Sequence, residues 1–300
     1  MRRYISIYVD YLRYERNYSA HTVDSYTNDL QQFASFLDEM AATGGEPFTV
    51  GRIDSDIVRR WILELMKKSL SAASVNRKLS SLQSFFKYLI IKGIIEKHPF
   101  RSVNGPKKSK PLPYFIKEKD IVGVLDTDDF GTDFEGTRDR LIIETLYETG
   151  VRRSELAGIK DRDIDIEGMM LKVTGKRNKQ RLIPFAERLK EMFIYYIDVR
   201  EKEVAGEHPC FFVRKDGRAL TPAIIYYVVK KNLSRIPTLS KRSPHVLRHT
   251  FATSMLNDGA EISAVRDLLG HDSLASTSVY THVTFEELKK IYNAHPRAKI

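Results

Sequence analysis

The break in the hydrophobic pattern at residues 97–113 constrains the fold of this chain more than any other feature. This stretch, KHPFRSVNGPKKSKPLP, contains four prolines and six basic residues, counting His98, without regularly spaced core residues. Proline fixes φ and removes a backbone donor, so the stretch is typical of an extended linker. Because 300 residues suffice for two cores, we expect domains at 1–103 and 114–300, joined by a basic linker at 104–113.

The N-terminal part carries apolar residues at helical spacing in four successive segments. The spacing predicts a helix over residues 2–15 and a second helix that begins after the N-cap Ser19 and ends before Thr43. A third helix is expected from about Asp54 and a fourth from about Ser71. Each has one apolar stripe, and four such helices with short links predict a small all-α bundle.

The fourth predicted helix also has a polar face that contains no glutamate. Its short or fork-shaped hydrogen-bonding groups suit phosphates and base edges in a major groove. A solvated helix face would have the same composition, and the pattern leaves both interpretations open. The residues that we assign to DNA binding are Asn76, Arg77, Lys78, Gln83 and Lys87 of this helix, with Lys107 and Lys108 of the linker.

The second domain is predicted to be mostly helical, with one small antiparallel sheet. In chain order, the predicted elements are helices at 117–126 and 137–148, strands at 163–166, 169–173 and 181–184, helices at 186–203 and 222–235, two helices ending at Gly259 and Gly270, and an amphipathic segment at 285–292. Gly150 is the predicted C-terminal glycine of the second of these helices. The last hairpin, which contains Lys176, is basic and begins with a glycine.

The net charge of +10 and the isoelectric point of about 9.4 indicate a polyanionic partner. Basic residues occur in both halves, which favours a protein that surrounds a nucleic acid, although charge alone leaves an anionic membrane surface open. No apolar stretch approaches the roughly 20 residues of a membrane span, and we expect a cytoplasmic protein without membrane contact. One cysteine, Cys210, excludes an intrachain disulfide and a cluster of thiolate metal ligands.

Residues 243–282 concentrate groups that could do chemistry on a phosphodiester. They contain the proton carriers His245 and His271, the phosphate binder Arg248 and the phenol of Tyr280. Together with Arg152, which lies just after Gly150 further upstream, Arg248 could hold the non-bridging oxygens of a phosphate and stabilise the charge of a pentavalent transition state. His245 and Arg248 are three residues apart and share one face of a helix.

A zinc site is the alternative interpretation of this region. His245 and His249 are four residues apart, but the general-base glutamate of the usual helical zinc motif is missing. We therefore interpret His249 as structural and expect neither a metal nor a cofactor.

The motifs, taken together, resemble those of the tyrosine site-specific recombinases of the phage integrase family, and most closely the Xer branch, which resolves chromosome dimers. The segments that carry the resemblance are GVRRSEL, HVLRHTFATSML, LLGHDSLASTSVYTHV, SAHTVDSYTNDLQQFASFL and YTHVTFEELKKIYNAHPRA. The likeness covers nearly the whole chain. It implies an N-terminal SAM-like core-binding domain and a mostly α catalytic domain with a small three-stranded antiparallel sheet.

By that resemblance, six residues match the catalytic positions of the family: Arg152, Lys176, His245, Arg248, His271 and Tyr280. A phenol with an ordinary pKa of about 10 is a poor nucleophile at neutral pH, so Tyr280 needs a positive phosphate site and an acceptor such as His271 or His245. The resemblance implies a 3′-phosphotyrosine, with Lys176 suited to protonate the leaving 5′-oxygen. Arg177 departs from the glycine that many relatives have after the hairpin lysine.

The resemblance also implies partners, namely a specific double-stranded DNA site and a homo- or hetero-tetramer of protomers on two duplexes. A DNA translocase is a possible activator, and the segment 285–300 could dock onto a neighbouring protomer or pack on its own domain. Three alternative functions stay open. They are a mobile-element integrase, a nicking enzyme like the type IB topoisomerases, and a DNA-binding regulator without catalysis.

Overall fold

A computed structural model describes residues 1–43, 47–100, 103–107, 114–175, 178–270 and 292–298 of the chain. Within these residues the backbone is mainly helical and includes one three-stranded antiparallel sheet, which confirms the predicted fold class. The chain divides into two compact units, Met1–Pro111 and Leu112–Ile300. The division falls inside the basic stretch 104–113.

The first unit is a small helical bundle with the predicted helices. They are α1 (Arg2–Asp10), which continues into a π-helical turn at Tyr11–Glu15, α2 (Ala20–Ala42), α3 (Ser55–Lys67) and α4 (Ala72–Ile91). The side chains of Ser19, Asp54 and Ser71 each accept a hydrogen bond from a backbone N–H in the first turn of α2, α3 and α4. These bonds satisfy donors that a helix start leaves without an intrahelical partner, and they confirm the predicted starts of the three helices.

Two apolar residues from the stretch 97–113 pack into the core of the first unit, although they lack regular spacing. Phe100 and Val103 are each 8% exposed and belong to the core of the first unit. The ring centroid of Phe100 lies 6.1 Å from that of Phe86 on α4. Two apolar residues without helical or strand spacing escape a periodicity search, but they pack where the chain folds back along a helix.

The second unit contains the remaining elements. Its α-helices are α5 (Glu118–Leu125), α6 (Phe134–Thr149), α7 (Arg153–Ala157), α8 (Glu187–Glu203), α9 (Pro222–Leu233), α10 (Pro244–Asn257) and α11 (Ile262–Leu269), and its strands are β1 (Ile164–Asp165), β2 (Met170–Thr174) and β3 (Gln180–Pro184). The sheet order is β1-β2-β3, with Val173 paired to Arg181 in the second ladder. The predicted sheet and the helix ends before Gly150, Gly259 and Gly270 are confirmed.

Helix α6 lies at the centre of the second unit, because every residue from Leu141 to Thr149 is buried. A helix that is buried on all sides is surrounded by other elements. Its C-terminal end at Gly150 therefore lies in the interior of the unit, close to α10 and α11.

The described part of the C-terminal tail, residues 292–298, packs on its own unit. Tyr292 is 3% exposed, and its hydroxyl donates to Glu148 Oε2 at 3.0 Å. His295 is fully buried between aromatic rings, among them Tyr147 at 4.9 Å and Phe251 at 5.5 Å between centroids. These residues thus follow one of the two arrangements left open for the segment 285–300, packing on their own domain, while docking onto a neighbouring protomer stays a prediction. The earlier part of the predicted docking segment lies outside the described residues.

Within the described ranges, the chain has no helix with both the length and the apolar character needed to cross a membrane.

Candidate active site

The site is built around the end of α6. Gly150 adopts a left-handed conformation with φ of 59°, which an L side chain rarely adopts. A Cβ atom at this position would lie 2.6 Å from Cδ1 of Phe251 on α10 and 2.8 Å from Cδ2 of Leu269 on α11. Glycine thus permits the close approach of three helices, and Arg152 follows two residues later.

The two arginines predicted to bind phosphate converge on the end of α11. Arg152 Nη2 donates to the carbonyl of Gly270 at 3.0 Å, and Arg248 Nη2 donates to the carbonyl of Leu269. Arg248 Nη1 also donates to the carbonyl of Gly150. Carbonyls at a helix C-terminus carry partial negative charge and attract cations. The side chain of Arg152 is 36% exposed, whereas Arg248 is 8% exposed, so Arg248 is fixed and Arg152 keeps an accessible surface.

Arg248 keeps its positive charge at neutral pH. Burial, followed by the nearby charges of Arg152 and Arg181, lowers the pKa of Arg248 to about 10. This value is still well above 7, as expected for a guanidinium. The end of α11 therefore holds two permanent cations.

His245 lies on α10, one turn before Arg248, as predicted. Its imidazole is exposed, yet partial desolvation and then the positive charges of Arg153 and Arg248 lower its pKa from the ordinary value of 6.5. The ring is therefore neutral at pH 7 and can accept a proton. Among the described residues, which include His245 and His249, no group of three or more His, Cys, Asp or Glu side chains is arranged to hold a metal ion.

The sequence interpretation missed Glu155, which holds Arg152 in place. One of its carboxylate oxygens accepts from the backbone N–H of Arg152 at 2.8 Å, and the other accepts from Arg152 Nη1 at 2.7 Å. Burial alone would raise the pKa of Glu155, but hydrogen bonds and charge from Arg181 and then Arg152 lower it below the ordinary value. The signal was present, since an acidic residue three positions after a helix start is typical of a capping box.

Three of the six predicted catalytic residues, Lys176, His271 and Tyr280, lie outside the described residues. Gly175 and Gly270, which directly precede Lys176 and His271 in the sequence, are both described. The structure therefore brings together Arg152, Arg248 and the neutral His245. The roles of the other three residues stay predictions.

The polar face of α4 is only partly exposed, and the interpretation of Lys78 as a surface residue is wrong. Lys78 is 6% exposed, and its Nζ donates to Asp29 Oδ1 at 3.0 Å and to Gln32 Oε1 at 2.6 Å on α2. Arg77 forms a two-pronged ion pair with the same buried Asp29. The spacing of residues along α4 could not reveal a buried carboxylate on another helix.

The remaining predicted DNA-binding residues differ in their exposure. Gln83 and Lys87 on α4 and Lys107 after it are exposed. Asn76 is partly buried, and its Nδ2 donates to the carbonyls of Ala72 and Pro106 at 2.7 and 2.8 Å. Lys108 lies outside the described residues. Gln83, Lys87 and Lys107 are thus available to a ligand, while Asn76 ties the chain after residue 103 to α4.

Comparison with models of protein families identifies the family to which this chain belongs. The model of the phage integrase family matches residues 115–287, and the model of its N-terminal SAM-like domain matches residues 5–93. The chain belongs to the phage integrase family of tyrosine recombinases. Relatives that match it over nearly its full length are named Tyrosine recombinase XerC, and the chain is therefore a site-specific recombinase of the Xer type.

Several curated relatives carry the name Tyrosine recombinase XerC. The relative from Staphylococcus saprophyticus is 38% identical over 100% of this chain and 99% of its own length. The relative from Chlorobaculum tepidum is 38% identical over 99% of this chain and 95% of its own, and that from Listeria innocua is 39% identical over 97% of both. This recombinase thus matches its relatives across both units.

Solved structures share the fold. The XerH site-specific recombinase, in a post-cleavage complex with a palindromic difH substrate, covers 93% of this chain and 81% of its own with a TM-score of 0.72 and 22% identity. The Tn1549 transposon integrase, in complex with transposon right end DNA, covers 96% and 97% with a TM-score of 0.70 and 22% identity. At this identity the likeness shows the fold alone.

Proposed function

We propose that this recombinase cleaves and rejoins DNA at a specific site through a covalent bond between Tyr280 and a 3′-phosphate. The observation that supports this most is the convergence of Arg152 and Arg248 on the end of α11 beside a neutral His245. Two fixed cations stabilise the charge that develops on a phosphate under attack. A neutral imidazole is available to take a proton from the attacking hydroxyl.

In the proposed reaction, the phenolic oxygen of Tyr280 bonds to phosphorus and the bond from phosphorus to the 5′-oxygen breaks. The phenolic proton passes to His245 or His271, and Lys176 donates a proton to the leaving 5′-oxygen. Attack by a 5′-hydroxyl on the phosphotyrosine reverses these steps. Because the phosphodiester is exchanged for another phosphodiester, rejoining requires no ATP.

The biological role that we propose is the resolution of chromosome dimers, because the relatives named Tyrosine recombinase XerC match both units of this chain. In this proposal protomers act as a homo- or hetero-tetramer on two duplexes, and a DNA translocase activates them. The exposed Gln83, Lys87 and Lys107 are the proposed contacts of the first unit with DNA.

A nicked duplex tests the role of Tyr280, because loss of the fragment beyond the nick prevents rejoining and traps the covalent complex. The substrate carries the chromosomal site recovered by mapping recombined DNA in cells. We expect the wild type to form a complex that survives denaturation, with or without EDTA. Tyr280→Phe, which lacks the nucleophilic oxygen, should form none while it still binds the duplex.

A covalent complex that survives Tyr280→Phe would overturn the assignment of the nucleophile. Cleavage that requires a divalent ion would instead reopen the zinc interpretation of His245 and His249. Strand exchange between two sites on separate duplexes distinguishes recombination from relaxation by a topoisomerase-like enzyme. Exchange between two copies of the chromosomal site, without a mobile-element end, distinguishes dimer resolution from integration.

A further inference from the structure

Arg181 is a buried cation for which the reaction described above has no use. It lies on β3, where its backbone pairs with Val173 of the neighbouring strand, and it is 6% exposed. A guanidinium is costly to bury unless all of its donors find partners. The partners that Arg181 finds all belong to the active site.

The guanidinium of Arg181 joins two separate parts of that site. Nη1 and Nη2 donate to the two carboxylate oxygens of Glu155 at 3.1 and 2.8 Å, while Nε donates to the carbonyl of Leu268 at 2.7 Å. The two-pronged geometry fixes the carboxylate in orientation as well as in distance. Glu155 in turn holds Arg152 through that residue's backbone N–H and guanidinium.

Three successive carbonyls at the end of α11 each bind one arginine. The carbonyl of Leu268 accepts from Arg181, that of Leu269 from Arg248, and that of Gly270 from Arg152. Gly270 is left-handed with φ of 63°, and a Cβ atom there would lie 3.2 Å from Nη1 of Arg181. Arg181 thus lies directly against the turn whose carbonyls bind the other two arginines.

We propose that Arg181 is a positioning residue for DNA cleavage. It holds Glu155 and the end of α11 in one arrangement, and through them it sets the separation and direction of the guanidiniums of Arg152 and Arg248. The inference rests on the proposed function, because it assigns to these two arginines the phosphate of the cleaved bond.

The test compares Arg181→Lys with Arg200→Lys. Arg200 on α8 is a matched control, since it is 3% exposed, forms a two-pronged ion pair with Asp161 and donates to the carbonyl of Phe211. Lysine keeps the positive charge but cannot form the fork in either case. We expect Arg181→Lys to slow single-turnover cleavage of the nicked duplex by about 100-fold, the effect of a displacement of about 1 Å at a reacting group. Arg200→Lys should cleave at the wild-type rate.

A double-mutant cycle separates positioning from a general loss of structure. If Arg181 acts through Arg152, Arg181→Lys should slow cleavage much less in an Arg152→Lys background than in the wild type. Arg200→Lys should have the same small effect in both backgrounds. DNA affinity and the unfolding midpoint are measured for every variant. Arg181→Gln, which retains an amide donor, replaces Arg181→Lys if the lysine variant does not fold.

Equal cleavage by Arg181→Lys and Arg200→Lys, or full additivity with Arg152→Lys, would overturn the inference. Failure of the proposed function gives a different result, because the wild type itself would then form no covalent complex through Tyr280.

Discussion

His245 shows how single residues acquire their chemistry from neighbours that are distant in sequence. Partial desolvation and the charges of Arg153 and Arg248 lower its pKa, and Arg152 contributes in the same direction. Arg152 and Arg153 lie more than ninety residues upstream. The type and spacing of His245 and Arg248 were readable in the sequence, but the protonation state follows only from the fold.

The lowered pKa of His245 predicts the pH dependence of cleavage. The proposed acceptor must be neutral, and it becomes protonated only as the pH falls through a pKa below 6.5. Single-turnover cleavage should therefore decline on the acid side with a midpoint below pH 6.5. His245→Gln should reduce the rate by about 10²- to 10⁴-fold, the usual contribution of a general base, and abolish this decline.

His249→Gln is the control for this measurement, because His249 is exposed on the same helix and we assign it no chemical role. It should leave the rate at neutral pH unchanged, and because the charge of His249 contributes to the lowered pKa of His245, its removal should not lower the acid midpoint or abolish the decline. An acid decline that persists unaltered in His245→Gln would transfer the acceptor role to His271.

At the scale of helices and strands, local signals were predictable and long-range pairing was not. Ser19, Asp54 and Ser71 begin their helices as expected, because a cap bonds to N–H groups within its own first turn. The burial of Lys78 and the role of Arg181 were not predicted. The carboxylate partner of Lys78 lies 49 residues away in the sequence, and that of Arg181 lies 26 residues away. Periodicity shows which side of a helix is apolar, but not where a second helix buries an acid.

The burial of Lys78 between α2 and α4 predicts a large effect on stability. Removal of one partner from a buried ion pair costs about 3 kcal/mol or more, because the remaining charge is left poorly compensated. Because Arg77 still pairs with Asp29 in the variant, we expect the lower end of this cost. Lys78→Ala should therefore lower the free energy of unfolding of the first unit by about 3 kcal/mol. Trp61, the only tryptophan, is buried in that unit and reports its unfolding in urea.

Lys87→Ala on the same helix is the matched control. Lys87 is exposed, and an exposed substitution away from special features changes stability by about 0.5 kcal/mol or less. Equal small effects for Lys78→Ala and Lys87→Ala would contradict the structural role assigned to Lys78.

At the scale of the whole molecule, the net charge of +10 predicts that DNA affinity falls as the salt concentration rises. The contribution of an individual lysine to this dependence can be measured. Each phosphate that a protein neutralises releases condensed counterions, which adds about 0.9 to the slope of log affinity against log salt concentration. Net charge and site-specific contact therefore make different predictions. A diffuse effect depends only on how many charges are removed, whereas a phosphate contact depends on which lysine is removed.

Lys87→Gln distinguishes these two origins of affinity. If Lys87 contacts a phosphate, its neutralisation should reduce the salt slope by about 0.9 and weaken binding equally on specific and unrelated duplexes. Lys202→Gln removes the same charge from α8, where Lys202 is 70% exposed and paired with Asp198 at 2.6 Å, and should leave the slope unchanged. Equal reductions in both variants would assign the effect to net charge and withdraw Lys87 from the interface. Binding constants measured between 50 and 200 mM salt, roughly the range over which such slopes are resolved, provide the comparison.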